Sequence, residues 1–305
     1  MKNRTVNGIL NINKPEGMTS FGVISRLKHL TGQKHVGHTG TLDPIATGVL
    51  PVCFGQATRI SRFITESDKT YVATIKLGIS TDTYDREGKI TGETDFSGIT
   101  PEQVTVALHS FSGTIKQVPP AFSAIKLQGQ KLYKLARSGI VLKPEAREVT
   151  VNRLQVLSME LPFISLEIDC SKGTYIRSLA HDLGQVLGCG AHLTKLERTR
   201  CGLFTIQDAV ELTTAEQAVT RGEWENLLYA IDYPLVSYIK VTLDSEQELK
   251  VQHGLSIQLG TDIDASTGLI RAYNTKGSFI AMLNYDTSTE LWHPYRVFAG
   301  KSTGE

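Results

Sequence analysis

Two long β-rich runs, REVTVNRLQVLSM (147–159) and FISLEIDCS (163–171), stand either side of a turn containing Pro162. GTYIRSLAHDLGQVLG (173–188) then changes at once to the three-and-four spacing of an amphipathic helix. A chain that must satisfy both periods within forty residues is a mixed α and β protein. Four other stretches agree. GILNIN (8–13) reads as a strand, and KTYVATIKLG (69–78) alternates, with Tyr71, Ala73, Ile75 and Leu77 pointing one way. Thr19 or Ser20 is positioned to cap a helix whose Val23, Ile24, Leu27 and Leu30 share a face. TPEQ (100–103) combines an N-cap Thr, a first-position Pro and a capping-box Gln, so a short helix through Leu108 is expected.

At 305 residues the chain has room for about two domains. The pattern changes at IDYPLVSY (231–238), after two polar helical stretches near 213–230. Beyond it, one helix (DSEQELKVQHG) precedes strands in SIQLG, LIRAYN, FIAMLNYD and LWHPYRVFA, the spacing of a small β-barrel-like domain. The expected division is 1–236 and 237–305.

No apolar run approaches the ~20 residues of a membrane span. Near the N-terminus the apolar residues Ile9, Leu10 and Ile12 are too few for a secretion signal, so a soluble cytoplasmic protein is expected. Cys53, Cys170, Cys189 and Cys201 have neither zinc nor disulfide spacing and read as core thiols. The formal net charge is +1, which conceals polarity. Residues 1–40 hold Lys2, Arg4, Lys14, Arg26, Lys28 and Lys34 against Glu16 alone, and residues 115–153 hold eight cations against Glu145 and Glu148. Two such runs point to a phosphate-rich partner.

Between them lies HVGHTGTLDPIATGVLPV (35–52), with one carboxylate, Asp43, among glycines and threonines. Asp-Pro is a common turn starter. A metal site from His35, His38 and Asp43 fits no common spacing, and the glycines match neither standard phosphate loop. An ionised carboxylate is also a competent nucleophile. Spacing alone leaves these readings open.

The stretch GHTGTLDPIATGVLPV follows INKPEGMTS and precedes KTYVATIKLGISTDTYDREG, QVPPAFSAIKLQGQKLYKLARSG, GTYIRSLAHDLG and LTKLERTRCGLF. In that order, over about residues 8–205, the chain resembles the TruB family of tRNA pseudouridine-55 synthases. The resemblance implies an α+β pseudouridine synthase fold: a central mixed, mainly antiparallel sheet flanked by helices, plus a small C-terminal β-rich PUA-like RNA-binding domain. It implies a cofactor-free, metal-free, stand-alone enzyme acting as a monomer on the T arm of tRNA, with neither membrane nor guide RNA.

By the same resemblance Asp43 is the nucleophile, Arg177 its ion-pair partner and Tyr71 the aromatic on the target base. Tyr175 and Leu196 wall the pocket, and His38 fills the gap left by a flipped base. Residues 123–147 match a mobile thumb, with Lys126, Lys131 and Arg137 as phosphate contacts, while Lys14 and Pro15 brace the active loop. Arg177 would sit near the third position of a helix capped by Thr174, where a cation opposes the macrodipole at a cost of ~0.3–1 kcal/mol, so a carboxylate partner is expected to keep company with it and remain ionised. A second reading is an RNA-binding or RNA-folding module in which turnover is secondary.

Overall fold

The computed structural model describes residues 4–123, 126–127, 130–132, 144–260, 263 and 268–298, with 126–127 and 130–131 described by backbone alone. In chain order the first half comprises β1 (Gly8–Lys14), α1 (Ser20–Thr31), β2 (Val36–His38), β3 (Ala46–Phe54), α2 (Ser61–Glu66), β4 (Lys69–Leu77), β5 (Ile79–Thr81), β6 (Ile90–Glu93), α3 (Pro101–His109) and β7 (Gly113–Gln117). There follow β8 (Lys126–Leu127), β9 (Gln130–Lys131), β10 (Arg147–Glu160), β11 (Phe163–Cys170), α4 (Ile176–Leu187), β12 (Ala191–Cys201), β13 (Phe204–Thr205), β14 (Val210–Glu211) and α5 (Leu212–Arg221). The last part is β15 (Ile239–Thr242), α6 (Ser245–Gln252), β16 (Leu269–Tyr273), β17 (Phe279–Asp286) and β18 (Leu291–Val297).

Ten strands form the main sheet in the order β14-β1-β3-β12-β4-β11-β10-β7, with β2 added to β3 and β13 to β12. The β1/β14 and β3/β12 pairs are parallel and the rest antiparallel. The hairpin expected around Pro162 is present, with Glu160 opposite Phe163. Alternation sorts the central strands between two cores. Leu10, Ile12, Leu50, Val52 and Phe54 join the apolar faces of α1, α3, α4 and α5, whereas Ile9, Val49 and Cys53 join Ile60 and Ile64 on the opposite side. Burial on both faces explains why β3 (ATGVLPVCF) is apolar almost throughout instead of alternating.

Local signals account for the helix starts. Thr19 caps α1 by accepting from Gly22 N at 2.9 Å, and Thr100 and Gln103 close the foreseen capping box of α3. Leu30 departs from expectation: it is exposed while Val23, Ile24 and Leu27 are buried, because α1 covers the sheet with its first two turns only.

The C-terminal segment also departs from expectation. SIQLG forms no strand beyond an isolated bridge from Ile257 to Trp292, and β15, which the alternation did not signal, opens the sheet β15-β16-β17-β18. Its parallel pairing with β16 supplies the neighbour that so short a strand lacks on its own. Among the described residues this sheet is open, not a barrel. It docks on the main body through Met282 and Phe298, buried with Ile60, Ile64 and Leu235, and through Arg59, whose Nη1 donates to Val297 O at 2.7 Å. All four cysteines are free and buried, as expected. Among the described residues no helix is long and apolar enough to cross a membrane.

Candidate active site

The loop joining β2 to β3 carries Asp43, and its shape is held from several sides. Leu42 is buried in the core, its N–H donates to Ser20 Oγ at 2.8 Å, and that hydroxyl donates back to Leu42 O at 3.1 Å. Thr39 N donates to Pro51 O at 3.1 Å and Gly17 N to Pro44 O at 2.8 Å. Lys14 is fully buried, and its Nζ donates to Pro15 O at 2.9 Å, Met18 O at 2.6 Å and Pro44 O at 3.4 Å. Burial lowers the Lys14 ammonium to about 8, against the pull of Asp43 and Glu16. The expected bracing role therefore has a definite form: one amine ties together the carbonyls of Pro15, Met18 and Pro44, the last of which also accepts from Gly17 N.

Gly48 shows why β3 can start where it does. Its φ is +100°, and a Cβ there would lie 2.3 Å from Arg198 O. The close parallel approach of β3 and β12 needs that hydrogen side chain.

Arg177 lies on the first turn of α4, whose N-cap is Tyr175, not Thr174, so it is the second helical residue instead of the third. Tyr175 offers no capping side chain. Gln117, at the end of β7, takes over by accepting from Tyr175 N at 2.7 Å and donating to Tyr175 O at 3.0 Å. Arg177 Nη2 donates to Asp43 Oδ1 at 3.2 Å and its Nε lies 2.9 Å from Oδ2. Nη1 donates to Thr83 O at 3.1 Å and stands 3.4 Å from Asp85 Oδ2, while Nη2 also donates to Phe122 O at 3.0 Å. One guanidinium thus holds two carboxylates and two carbonyls in fixed directions.

Exposure separates the two acids. The Asp43 side chain is 34 % exposed, against 5 % for Arg177 and 7 % for Asp85. Asp43 alone of the three offers its carboxylate to an entering molecule. Burial pushes the Asp43 carboxyl above its ordinary value; Arg177 draws it back and Asp85 adds to the rise. The expected ion pair between Arg177 and Asp43 is present, and desolvation acts against it on the same carboxyl.

Asp43, Tyr71, Tyr175, Arg177 and Leu196 line one cleft of about 550 Å³, within the range of about 300–1,000 Å³ usual for small-molecule sites. Burial pushes the Tyr71 hydroxyl up to about 12, so it remains a proton-bearing group at neutral pH. His38 ends β2 opposite Val52 and does not line the cleft; its Nδ1 has no partner among the described residues, and burial followed by the charge of Arg198 lowers its ring's affinity for a proton. The side chains of Lys126 and Lys131, and all of Arg137, lie outside the described residues. The backbone at 126–127 and 130–131 forms a two-stranded pair. Among the described residues no cluster of three or more His, Cys, Asp or Glu is arranged to hold a metal.

Two cleft residues and one behind the cleft escaped the sequence reading. Asp85, which stands behind Arg177, lies within the quoted TDTYDREG and carries no signal of its own there. Arg198 is 1 % exposed, donates from Nε to Val49 O at 2.7 Å and from Nη2 to Gly40 O at 3.1 Å, and sits opposite Tyr71 in the β12/β4 pairing. Its signal was present, since Arg198 follows Leu196 at the two-residue spacing that keeps both on one face of a strand. Lys69 is the third: its buried Nζ donates to Thr65 O at 2.6 Å and also to Ile64 O and Ser67 O, closing the C-terminal end of α2.

Residues 28–176 match the model of the TruB family pseudouridylate synthase N-terminal domain, and residues 177–236 match that of the tRNA pseudouridylate synthase B C-terminal domain. The chain is 41% identical over 293 residues to tRNA pseudouridine synthase B of Dehalococcoides mccartyi, covering 96% of this chain and 97% of that relative. It is 39% identical over 300 residues to the Haemophilus influenzae protein of the same name, covering 96% of each. Among solved structures it is similar to a Cbf5-Nop10-Gar1 complex, with a TM-score of 0.72 at 25% identity, covering 96% of this chain and 85% of that one. A similar overlap, with a TM-score of 0.71 at 23% identity and covering 97% and 86%, relates its fold to that of an H/ACA RNP bound to a substrate RNA containing 2'-deoxyuridine.

Proposed function

Because the chain belongs to the TruB family of pseudouridylate synthases, we propose that it isomerises uridine-55 in the T loop of tRNA to pseudouridine, acting as a single chain without guide RNA. The observation that carries this reading is the half-open Asp43 carboxylate held against buried Arg177 at the floor of a nucleoside-sized cleft. In the reaction the bond from C1′ to N1 of the base breaks, a bond from C1′ to C5 forms, the C5 proton leaves to solvent and N1 takes up a proton from solvent, so that the product is an isomer of the uridine. Asp43 is the nucleophile. Arg177 fixes its direction and offsets its charge, which matters because a reacting group off its line by an ångström loses much of its rate.

Tyr71 stacks on the base, and its hydroxyl, kept protonated by burial, is available to the proton movements. Tyr175 and Leu196 close the sides. A uridine inside a folded T loop reaches this cleft only by leaving its stack, at a cost of a few kcal/mol. His38, on the strand that leads into the Asp43 loop, takes the vacated place with a flat ring. Lys126, Lys131 and Arg137 contact phosphates of the T arm. The division at 236/237 belongs to the same reading: the second sheet starts at Ile239, and 237–305 acts as a PUA-like RNA-binding unit.

The test is tritium release from a T-arm hairpin whose uridines carry tritium at C5, with the parent chain and Asp43→Asn. Release by the parent alone is the expected result. Turnover by Asp43→Asn would remove Asp43 from its role, and no release by either with hairpin binding intact would favour an RNA-binding module.

A further inference from the structure

Arg177 is aimed by two acceptors that are neighbours but one in sequence, the carbonyl of Thr83 and the carboxylate of Asp85. The residue between them, Tyr84, has a φ of +64°. Glycine or asparagine usually occupies the left-handed region, and a bulky side chain there is an outlier that its surroundings must hold in place. Rotation about that one residue would swing both acceptors relative to each other, since one precedes it and the other follows.

Two contacts hold it. The backbone is tied on one side, with Tyr84 N donating to Thr81 O at 3.3 Å and Leu193 N donating to Tyr84 O at 3.0 Å. On the other side the Tyr84 ring lies flat on the ring of His181, with centroids 3.8 Å apart and planes 12° apart. His181 follows Arg177 by four residues on α4, so the imidazole and the guanidinium project from the same helix face. The His181 Nδ1 has no hydrogen-bond partner among the described residues, which leaves stacking as the contact that orients the ring. Burial lowers the affinity of that ring for a proton, so it stacks as a neutral imidazole.

We propose that Tyr84 and His181 form a stacked positioning pair that locks the turn after β5 in its left-handed shape, sets Thr83 and Asp85 on Arg177, and thereby aims Asp43. α4 then grips the turn twice, with the guanidinium through its acceptors and with the imidazole through the residue between them. This inference rests on the reading of Asp43 as the nucleophile. Tyr84 and His181 touch neither substrate nor reacting atoms in this arrangement; they act through Arg177.

The experiment measures single-turnover pseudouridine formation, tRNA Kd and Tm for the parent and for His181→Ala, His181→Phe, Tyr84→Gly and Asp43→Asn. His181→Ala and Tyr84→Gly are expected to lower the single-turnover rate by about 10- to 100-fold with tRNA Kd little changed, the pattern of a lost alignment and not of lost binding. His181→Phe restores a flat ring and is expected to restore most of the rate. The double variant His181→Ala with Tyr84→Gly should lose no more than the worse single variant, because both remove the same contact. A parental rate in folded His181→Ala would overturn the pair, as would a folded His181→Phe as slow as His181→Ala. If Tyr84→Gly fails to fold, the two His181 variants carry the test. Inactive Asp43→Asn beside fully active His181→Ala would overturn this inference alone, whereas an active Asp43→Asn would overturn both.

Discussion

At the scale of single residues, the site works by dividing labour between two acids on one cation. Asp85 is buried and shares its Oδ1 with Thr83 Oγ1, which donates at 2.6 Å, and with Glu87 N at 3.1 Å, so its carboxylate is fully engaged in holding the turn and Arg177. Asp43 keeps an open side for chemistry. Arg177 and Asp85 act on the titration of Asp43 with opposite sign. Asp43 must be ionised to act, so kcat/KM rises with pH through its pKa, and that limb lies above the ordinary carboxylate value because burial raises it. Arg177→Gln removes the charge that lowers it and should move the limb to higher pH. Asp85→Asn removes a charge that raises it and should move the limb to lower pH. Each should also cost about 10- to 100-fold in kcat through lost aim. A pH profile of tritium release for the three chains checks this, and limbs moving in the same direction would mean that Asp43 is not the group observed.

At the scale of elements, two buried lysines hold backbone carbonyls together. Lys14 gathers three carbonyls of the segments around Asp43, and Lys69 gathers the last carbonyls of α2. Neither is free for a phosphate. Lys14→Met keeps the stem and removes the donor from three carbonyls, so it should cost about 1–3 kcal/mol in stability together with most of the activity, because Pro44 follows Asp43 directly and Pro15 and Met18 lie in the β1–α1 segment that is bonded to it. By contrast Thr100→Ala, which breaks the capping box of α3, should cost about 1 kcal/mol and leave kcat at the parental value. Denaturant melts paired with turnover assays separate the two. Equal loss of activity in both variants would deny Lys14 its special connection to the Asp43 loop.

At the scale of the whole molecule, the second sheet is seated, not tethered. Met282 and Phe298 enter a core shared with Ile60, Ile64 and Leu235. Phe63 meets Tyr238 and Tyr295 edge-on at 5.6 and 6.3 Å, and Arg271 donates to Tyr238 O at 3.0 Å and Val236 O at 3.1 Å. Removing the Met282 side chain should therefore destabilise by about 2–5 kcal/mol, as deletion of a large core side chain does, and should do so in a single transition, seen as coincident far- and near-ultraviolet melts. Two separated transitions would show instead that the sheet melts independently. Charge belongs to this scale too. The basic stretch 115–153 is proposed to hold the T arm, so Lys126→Ala with Lys131→Ala should weaken tRNA binding and flatten its dependence on salt. An unchanged slope would assign the phosphates elsewhere.

The sequence by itself determined the period of each main element, the capping of α1 and α3, the turn at Pro162 and, through ordered motifs, the family; these are properties of short stretches, legible wherever local chemistry and the final fold agree. Asp43, Tyr71, Tyr175, Arg177 and Leu196 were legible as candidates through the family resemblance alone, since spacing by itself left the role of Asp43 open. The tertiary structure alone decided that Arg198 and Lys69 line the cleft of these five, that Asp85 stands behind Arg177, and that Lys14 and Lys69 point inward. It also put Tyr175 instead of Thr174 at the cap of α4, exposed Leu30 and reduced SIQLG to a single bridge. For the cap of α4, for Arg198 and for Asp85 the deciding partner is remote in sequence: Gln117 for Tyr175, Tyr71 for Arg198, Arg177 for Asp85. A side chain's type reveals what it is able to bind, but what it does bind, and whether it is desolvated there, follows from which distant strand the sheet order lays beside it.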